Sequence, residues 1–483
     1  MKTASQIAEA LKNFAVQPGG KAPITGTAKE LAASAQSVRQ PYGFNLGLDF
    51  GTAFTKCMLR DLRQERATPV VFALSDGPTF LLPSQLYLEG AQVRTPFDGR
   101  GNGVELGCLK MALYAAVGDR RGDPWLLVLA RHWPEDDETK LHAKIEALVI
   151  HYLATVIRHC RAAVLAQRPD FDPAKGDQFS VNMAVPIAHV QERGVEEAFR
   201  QCLNRAWRVA HDLPGGAMTL EECLAVVSGL RRGADEHLCA VYPEVSANVQ
   251  AYIQARSGFE GLYMFVDVGA GTVDASTFIF WPNASDKTLT YLAAEVVPLG
   301  SSQIELRAAA ELAGRMMDNF RGCKESMPHE KKVLVETEAE VARVCRALRV
   351  ELLVALERCA GLAHEKLVRE TRRRARTKQW RSLRILIGGG GSALPMYREV
   401  AAGSFTTWSM QPETSALPLP LDVEWPASVA SRHELFRRMT VAYGLSFDFP
   451  MLAQHRLPDE LEPLTTDEEP ERDRYVASSK DEV

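Results

Sequence analysis

The sequence is poor in the signatures that assign a chain quickly. Its nine cysteines include no Cys-x-x-Cys pair, and an odd count would leave one over in any complete disulfide framework. Buried thiols in a reducing compartment are the expectation. No window reaches about 18 consecutive apolar residues, and the N-terminal MKTASQIAEALKNFAVQ has no apolar core of signal-peptide length, so a cytoplasmic protein without a membrane partner is expected. The Gly-x-Ser-x-Gly elbow of a serine hydrolase is absent. Charge of either sign is not in excess: 56 basic against 61 acidic residues leave a net charge of −5, which does not point to a dedicated nucleic-acid binder. Aromatic residues make up 8% and charged residues 24%, ordinary globular usage that excludes wholesale disorder, collagen-like repeats and a coiled-coil rod. What is present is apolar substance. With 483 residues, 46% of them hydrophobic, the chain exceeds one core of ordinary size and should form several lobes.

Local patterns give the organisation. Residues 1–42 form an N-terminal extension, with Ile7, Leu11 and Phe14 on one face of a possible helix over 4–16, followed by the breaker Pro18-Gly19-Gly20. It could dock on its own domain or serve as a partner-binding arm. A buried-strand pattern, Phe44–Phe50, breaks at Gly51-Thr52 and resumes at Lys56–Leu59, as in a hairpin. Trp125 and Trp133 flank Leu126–Leu129, which reads as a strand. A long helix is expected from about Lys140 to Gln167, since Leu141, Ile145, Leu148 and Tyr152 form one stripe. His142, His151 and His159 on it are too widely spaced for a compact metal site. A strand over 179–185 and a helix over about 190–210 follow. Later the grammar returns: a strand at Leu262–Asp267, the turn Gly269–Thr272, a strand at Ala275–Phe280, a helical stretch over about 303–376, and a strand at Leu383–Ile387. That last strand runs into Gly388–Gly391, and Pro395 suits the start of the next helix. The tail from Pro458, rich in Asp, Glu and Pro, is expected to be disordered.

Two of these units share a chemistry. Asp49-Phe50-Gly51-Thr52 and Asp267-Val268-Gly269-Ala270-Gly271-Thr272 each put a carboxylate at the end of a buried strand and small residues after it. Successive N–H groups in such a turn make an anion-binding concavity, and the threonine hydroxyl adds a donor. One Asp-x-Gly-Thr is a common turn. Two, each between apolar strands, read as a degenerate internal repeat of two α/β lobes that clamp a polyphosphate from both sides. The aspartates would then hold hydrated Mg²⁺, which takes few carboxylates and keeps its waters. The Gly388–Gly391 run would let a flat ligand approach the backbone.

These motifs resemble those of the actin-like ATPase superfamily, and within it the nucleotide-binding domain of the seventy-kilodalton heat-shock chaperones. LGLDFGTAFTK (46–56) resembles the first phosphate motif, FVDVGAGTVDASTF (265–278) the second, and ILIGGGGSALP (385–395) the adenosine motif. Weaker matches keep the family's order: LPSQLYL (82–88), LGCLKMAL (106–113), VNMAVPIAHVQERGVEEAF (181–199), YPEVSANVQAYI (242–253) and VAYGLSF (441–447). The resemblance implies an actin-like α/β fold, two ribonuclease H-like lobes around a nucleotide cleft, each with an inserted smaller subdomain. It divides the chain into lobe I at 43–260 (insertion about 76–140), lobe II at 261–449 (helical insertion about 301–380) and an acidic tail at 450–483. It implies ATP or ADP with Mg²⁺. Asp49, Asp267 and Glu244 would hold the metal through water, and Lys110 would orient the attacking water. Gly51, Thr52, Gly269, Ala270, Gly271, Thr272 and Gly300 would line the phosphates, and Gly389 and Gly390 the nucleoside.

The departures matter. The family's second threonine is Ala53, its middle glycine is Ala270, and Ala393 stands where an arginine would stack on adenine. Glu340 and Arg343 could face the nucleoside or simply solvent. The 34 residues after Phe449 are too few for a peptide-holding module. The expectation is therefore a slow ATP hydrolase that switches conformation for a protein partner. That partner would read the nucleotide state through the N-terminal extension or the basic segment 366–384. The alternatives are a catalytically weak scaffold subunit of a larger complex, a filament-forming actin homologue, and a small-molecule kinase of the same superfamily.

Overall fold

Seven of the eight residues of GFNLGLDF are buried, the mark of a strand covered on both faces. In the computed structural model, which describes residues 39–118, 123–185, 194–212, 216–230, 237–254, 258–282, 287–311, 335–373, 383–403 and 413–457, this strand is the middle of the first sheet. The chain divides into Met1–Pro41 and the unit Tyr42–Val483. The expected helix at 4–16, the tail from 458 and residues 374–382 of the basic segment lie outside the described residues.

Strand β1 (Gly43–Phe50) turns at 51–53 into β2 (Phe54–Asp61), and β2 pairs in turn with β3 (Arg66–Pro69). A small ribbon, β4 (Phe72–Leu74) and β5 (Gly77–Thr79), precedes β6 (Leu82–Pro83), which pairs with β2. Strands β7 (Leu86–Glu89), β8 (Gln92–Arg94) and β9 (Val104–Leu106) lead to helices α1 (Leu109–Val117), α2 (Pro124–Ala130) and α3 (Glu138–Gln167). Next come β10 (Gln178–Val185), α4 (Val195–Asp212), β11 (Met218–Thr219), α5 (Leu220–Gly229), β12 (Cys239–Pro243) and the short helices α6 (Glu244–Asn248) and α7 (Gln250–Gln254). The sheet order is β12-β10-β1-β2-β3, with a separate four-stranded sheet β11-β8-β7-β9.

The second half repeats the plan. Strands β13 (Gly261–Val268), β14 (Val273–Pro282) and β15 (Lys287–Val297) run antiparallel. Helices α8 (Ser302–Glu311) and α9 (Val335–Arg373) precede β16 (Leu383–Gly388), α10 (Pro395–Gly403), β17 (Glu413–Ala416), α11 (Arg432–Leu445) and β18 (Gln454–Arg456). The order is β17-β16-β13-β14-β15-β18. In both sheets an antiparallel hairpin (β1–β2, β13–β14) has a parallel strand (β10, β16) beside its first strand. The fold is thus mixed α/β with a duplicated sheet pattern.

One expectation fails. Leu126–Leu129 is not a strand but the body of α2. Asp123 caps this helix by accepting from the Trp125 N–H, and Pro124 sits at its first position. Leu126 and Leu129 are buried while Leu127 is 53% exposed, a helical period that a short apolar run conceals. Helix α3 is, by length and composition, the one described helix able to cross a membrane; 61% of its apolar window is buried inside the molecule. Ile145, Leu148 and Tyr152 are fully or almost fully covered, so it serves as the core helix of the first half.

Helix α11 joins the halves of the unit by packing on β1, β2 and α6. Two glycines permit this crossing. A Cβ on Gly47 would overlap the Ala442 carbonyl oxygen, and one on Gly444 would overlap that of Ala247. The last turn of α11 is then held by side-chain amides. Asn45 Nδ2 donates to the carbonyls of Leu445, Ser446 and Phe447 at 2.7–3.0 Å, and Asn182 Nδ2 to those of Leu445 and Phe447. Carbonyls that a helix end leaves without intrahelical partners are satisfied from the neighbouring sheet. We expect Gly444→Ala to destabilise the protein by about 1–3 kcal/mol, seen as a lower thermal midpoint. An unchanged midpoint would contradict this packing.

Candidate functional site

The two hairpin tips open onto one cleft of about 1060 Å³. The first tip closes with a Gly51 N–H donating to the Asp49 carbonyl at 3.1 Å, the second with a Gly269 N–H donating to the Thr272 carbonyl at 2.9 Å. The second tip is also fastened from behind. The N–H groups of Gly300, Ser301 and Ser302 donate to the carbonyls of Gly271, Gly269 and Ala270. A side chain on Gly300 would overlap the Ala270 carbonyl. Gly300 therefore braces the tip and does not line the cleft.

The other residues expected at the site do line it: Asp49, Gly51, Thr52, Lys110, Glu244, Asp267, Gly269, Ala270, Gly271, Thr272, Gly389 and Gly390. They come from β1, α1, α6, β13, the two tips and the loop after β16. Register explains the carboxylates. Asp49 is cross-strand from Lys56, and Asp267 holds the equivalent place cross-strand from Asp274. Lys56 forms an ion pair with Asp49 Oδ2, while Oδ1 is buried without a partner. The second hairpin has no such cation, so two carboxylates face each other, and Asp274 Oδ1 is likewise buried without a partner. Lys110 Nζ donates to Glu244 Oε2 at 2.9 Å. Asn248 Nδ2 donates to Asp267 Oδ2 at 2.7 Å and its own oxygen accepts from the Thr440 hydroxyl at 2.5 Å, which ties β13 to α6 and α11.

The electrostatics follow from this crowding. Burial, then the charge of Glu244, raises Asp267 to about 7, against the opposing Asn248 hydrogen bond. Burial and the charges of Glu244 and Asp267 push Asp274 well above the usual carboxylate range. Burial raises Asp49, though Lys56 opposes it. Burial alone would lower Lys110, but Glu244 and Asp49 outweigh it and hold the ammonium charged. Buried acids that repel one another are relieved by a cation. Among the described residues no three His, Cys, Asp or Glu side chains converge to cage a metal ion. The donor set, with unpartnered oxygens on Asp49 and Asp274, suits hydrated Mg²⁺ held through its waters beside a phosphate chain.

Lys56 and Asp274 were not among the residues singled out from the sequence. Their signal was available, since each lies seven residues after its aspartate, on the returning strand of the same hairpin. Arg437 and Arg438 also line the cleft, from α11, and no local pattern announces them. Trp125 reaches the second tip, 3.9 Å from where a Gly271 side chain would begin. Arg343 lies on α9, exposed and outside the cleft lining. His151 is buried on α3 and His159 stacks on Phe97. No protein-family model matches the sequence, and no curated protein matches it.

Asp267 supplies a pH test. Its pKa rises from 3.8 to about 7 on folding, so between these values the folded state binds more protons and stability falls as pH rises. Asp267→Asn removes this penalty while still offering Asn248 an oxygen. At pH 8, without ligand, the variant should unfold at a higher temperature than wild type, each tenfold difference in proton affinity being worth about 1.4 kcal/mol. The gain should shrink toward pH 4. A gain independent of pH, or none, would refute the charge crowding.

Proposed function

We propose that the chain is an ATP hydrolase module of the actin-like type, resembling the seventy-kilodalton heat-shock ATPase domain. Its two ribonuclease H-like lobes would be residues 43–260 and 261–449, and ATP with Mg²⁺ is its ligand. The observation that carries the reading is the pair of equivalent hairpins. Both present an aspartate at the same register position to one cleft, beside a buried Lys110–Glu244 ion pair. A cytoplasmic setting fits this reading.

The residues divide the work. The tips at Gly51-Thr52 and Gly269–Thr272 offer backbone N–H groups and hydroxyls to phosphate oxygens from opposite sides. Asp49, Asp267 and Glu244 would hold a magnesium ion through its waters, and Asp274, held protonated by burial and crowding, would ionise only once such a cation relieves the repulsion. Magnesium, when bound, neutralises phosphate charge. Lys110, held by Glu244, positions the attacking water and balances charge that develops on the terminal phosphate. Phosphoryl transfer asks mainly for such positioning. Turnover is slow, and closure of the lobes on the terminal phosphate is what a protein partner reads.

A second reading, a scaffold that binds nucleotide with negligible turnover, is favoured by Ala53, Ala270 and Ala393, where contacts of the resembled family are missing. Single-turnover hydrolysis separates the two. Wild type should hydrolyse bound ATP. Lys110→Ala should slow that step by about a hundredfold while leaving Mg·ATP affinity within a few-fold. Binding without hydrolysis in wild type would favour the scaffold, and an unchanged rate in the variant would remove Lys110 from the chemistry.

A further inference from the structure

We propose that Trp125 is a ligand contact of the cleft: its indole N–H donates to an oxygen of the phosphate chain held at the second hairpin tip. The first half of the molecule thereby grips the ligand where the second half binds it. This rests on the nucleotide reading above and adds to it a residue from across the cleft that no motif supplies.

The two tips are furnished unequally. At the first, the returning strand of the same hairpin brings a donor, since Lys56 Nζ stands 3.5 Å from where a Gly51 side chain would begin. At the second, the returning strand brings the acid Asp274 to the matching register position. The side chain that reaches this tip comes instead from α2. Trp125 Cζ2 and Cη2 lie 3.9 and 4.0 Å from the start of a Gly271 side chain. Cζ2 is bonded to the ring carbon that carries Nε1, so the nitrogen-bearing border of the indole is the part nearest the tip. The ring is held in place from behind. Asp123 caps α2, Leu126 and Leu129 are buried in the first core, and α2 packs on α1, the helix of Lys110. Trp125 itself is half-buried and lines the cleft, the placement of an aromatic with an apolar body and a polar edge.

Donors gather here without acceptors. Among the described residues the indole N–H donates to nothing; the hydrogen bond Trp125 makes is that of its backbone N–H to the Asp123 carboxylate. The backbone N–H groups of Ala270, Gly271 and Thr272 likewise donate to nothing among the described residues. The tip's own carbonyls are engaged. Those of Gly269, Ala270 and Gly271 accept from Ser301, Ser302 and Gly300, and that of Thr272 accepts from Gly269. An indole nitrogen can only donate, so its partner must bring lone pairs to a place where the protein presents N–H groups. A tetrahedral oxyanion does this, offering oxygens to donors on several sides at once. Three backbone donors from the second half and one side-chain donor from the first then share one phosphate group.

The test uses the intact chain with Mg·ATP and with Mg·tripolyphosphate, which carries the phosphate chain but no base. Trp125→Phe keeps a ring on the tip and removes the N–H. Calorimetric titration should show both ligands weakened about tenfold by Trp125→Phe, as for loss of one hydrogen bond to a charged acceptor. A second readout comes from wild type isotope-labelled at its seven indole nitrogens. The indole N–H resonance that is missing from Trp125→Phe should shift when Mg·tripolyphosphate is added to wild type; Trp125→Tyr makes the same assignment should the phenylalanine variant unfold. The inference is overturned if Trp125→Phe binds tripolyphosphate as wild type does, if ATP alone weakens, or if the Trp125 resonance stays in place while tripolyphosphate binds. Any of these leaves the nucleotide reading standing. Wild type that binds neither ligand would bring down that reading, and this contact with it.

Discussion

Asp267 and Asp274 face each other across adjacent strands inside the molecule, and among the described residues neither forms an ion pair with a lysine or arginine. This is an arrangement a folded chain does not keep without reason, because buried like charges repel and each loses its water. The first hairpin shows the ordinary solution at the same register, where Lys56 balances Asp49. The rest of the site holds this crowded pair in place. The tip beyond it is braced by the turn at Gly300–Ser302, Asn248 fixes Asp267, and Lys110 is locked to Glu244. Rigidity of this kind keeps opposing groups oriented for a charged ligand instead of letting them turn away.

The scaffold around the site is interlocked at close quarters. Helix α11 reaches β1 and α6 only because Gly47 and Gly444 carry no side chain. Its end is pinned by Asn45 and Asn182, and Arg60 lies 3.8 Å from the Phe447 ring centre. The same helix carries Thr440, which bonds the Asn248 that bonds Asp267. A displacement of α11 would therefore be felt at the carboxylate through two hydrogen bonds. That is the physical route by which ligand at the tips could bias the arrangement of the two halves.

Much of this was legible in the sequence because it is local. A carboxylate, a glycine and a threonine between apolar runs announce a hairpin tip, and both tips sit where those patterns place them. The long apolar stripe of α3 was equally plain. Other features needed the fold. The tetrad Leu126–Leu129 has no periodicity long enough to separate strand from helix, and only the Asp123 cap and Pro124 settle it. Lys56 and Asp274 are read as site residues only once register pairs them with the aspartates. Trp125 is brought to the second tip by a helix distant in sequence, so no spacing rule could connect them. Gly300 looks like a ligand contact in a motif and is instead the brace beneath one.

If the crowded carboxylates await a cation carried by a phosphate chain, magnesium and ATP must stabilise the intact protein together and not singly. The thermal midpoint with magnesium alone, ATP alone, and both reads this out. A ligand at a hundred times its dissociation constant adds about 2.7 kcal/mol, so a rise of several degrees is expected with both present and little with either alone. A midpoint that stays fixed with saturating magnesium and ATP together would contradict it.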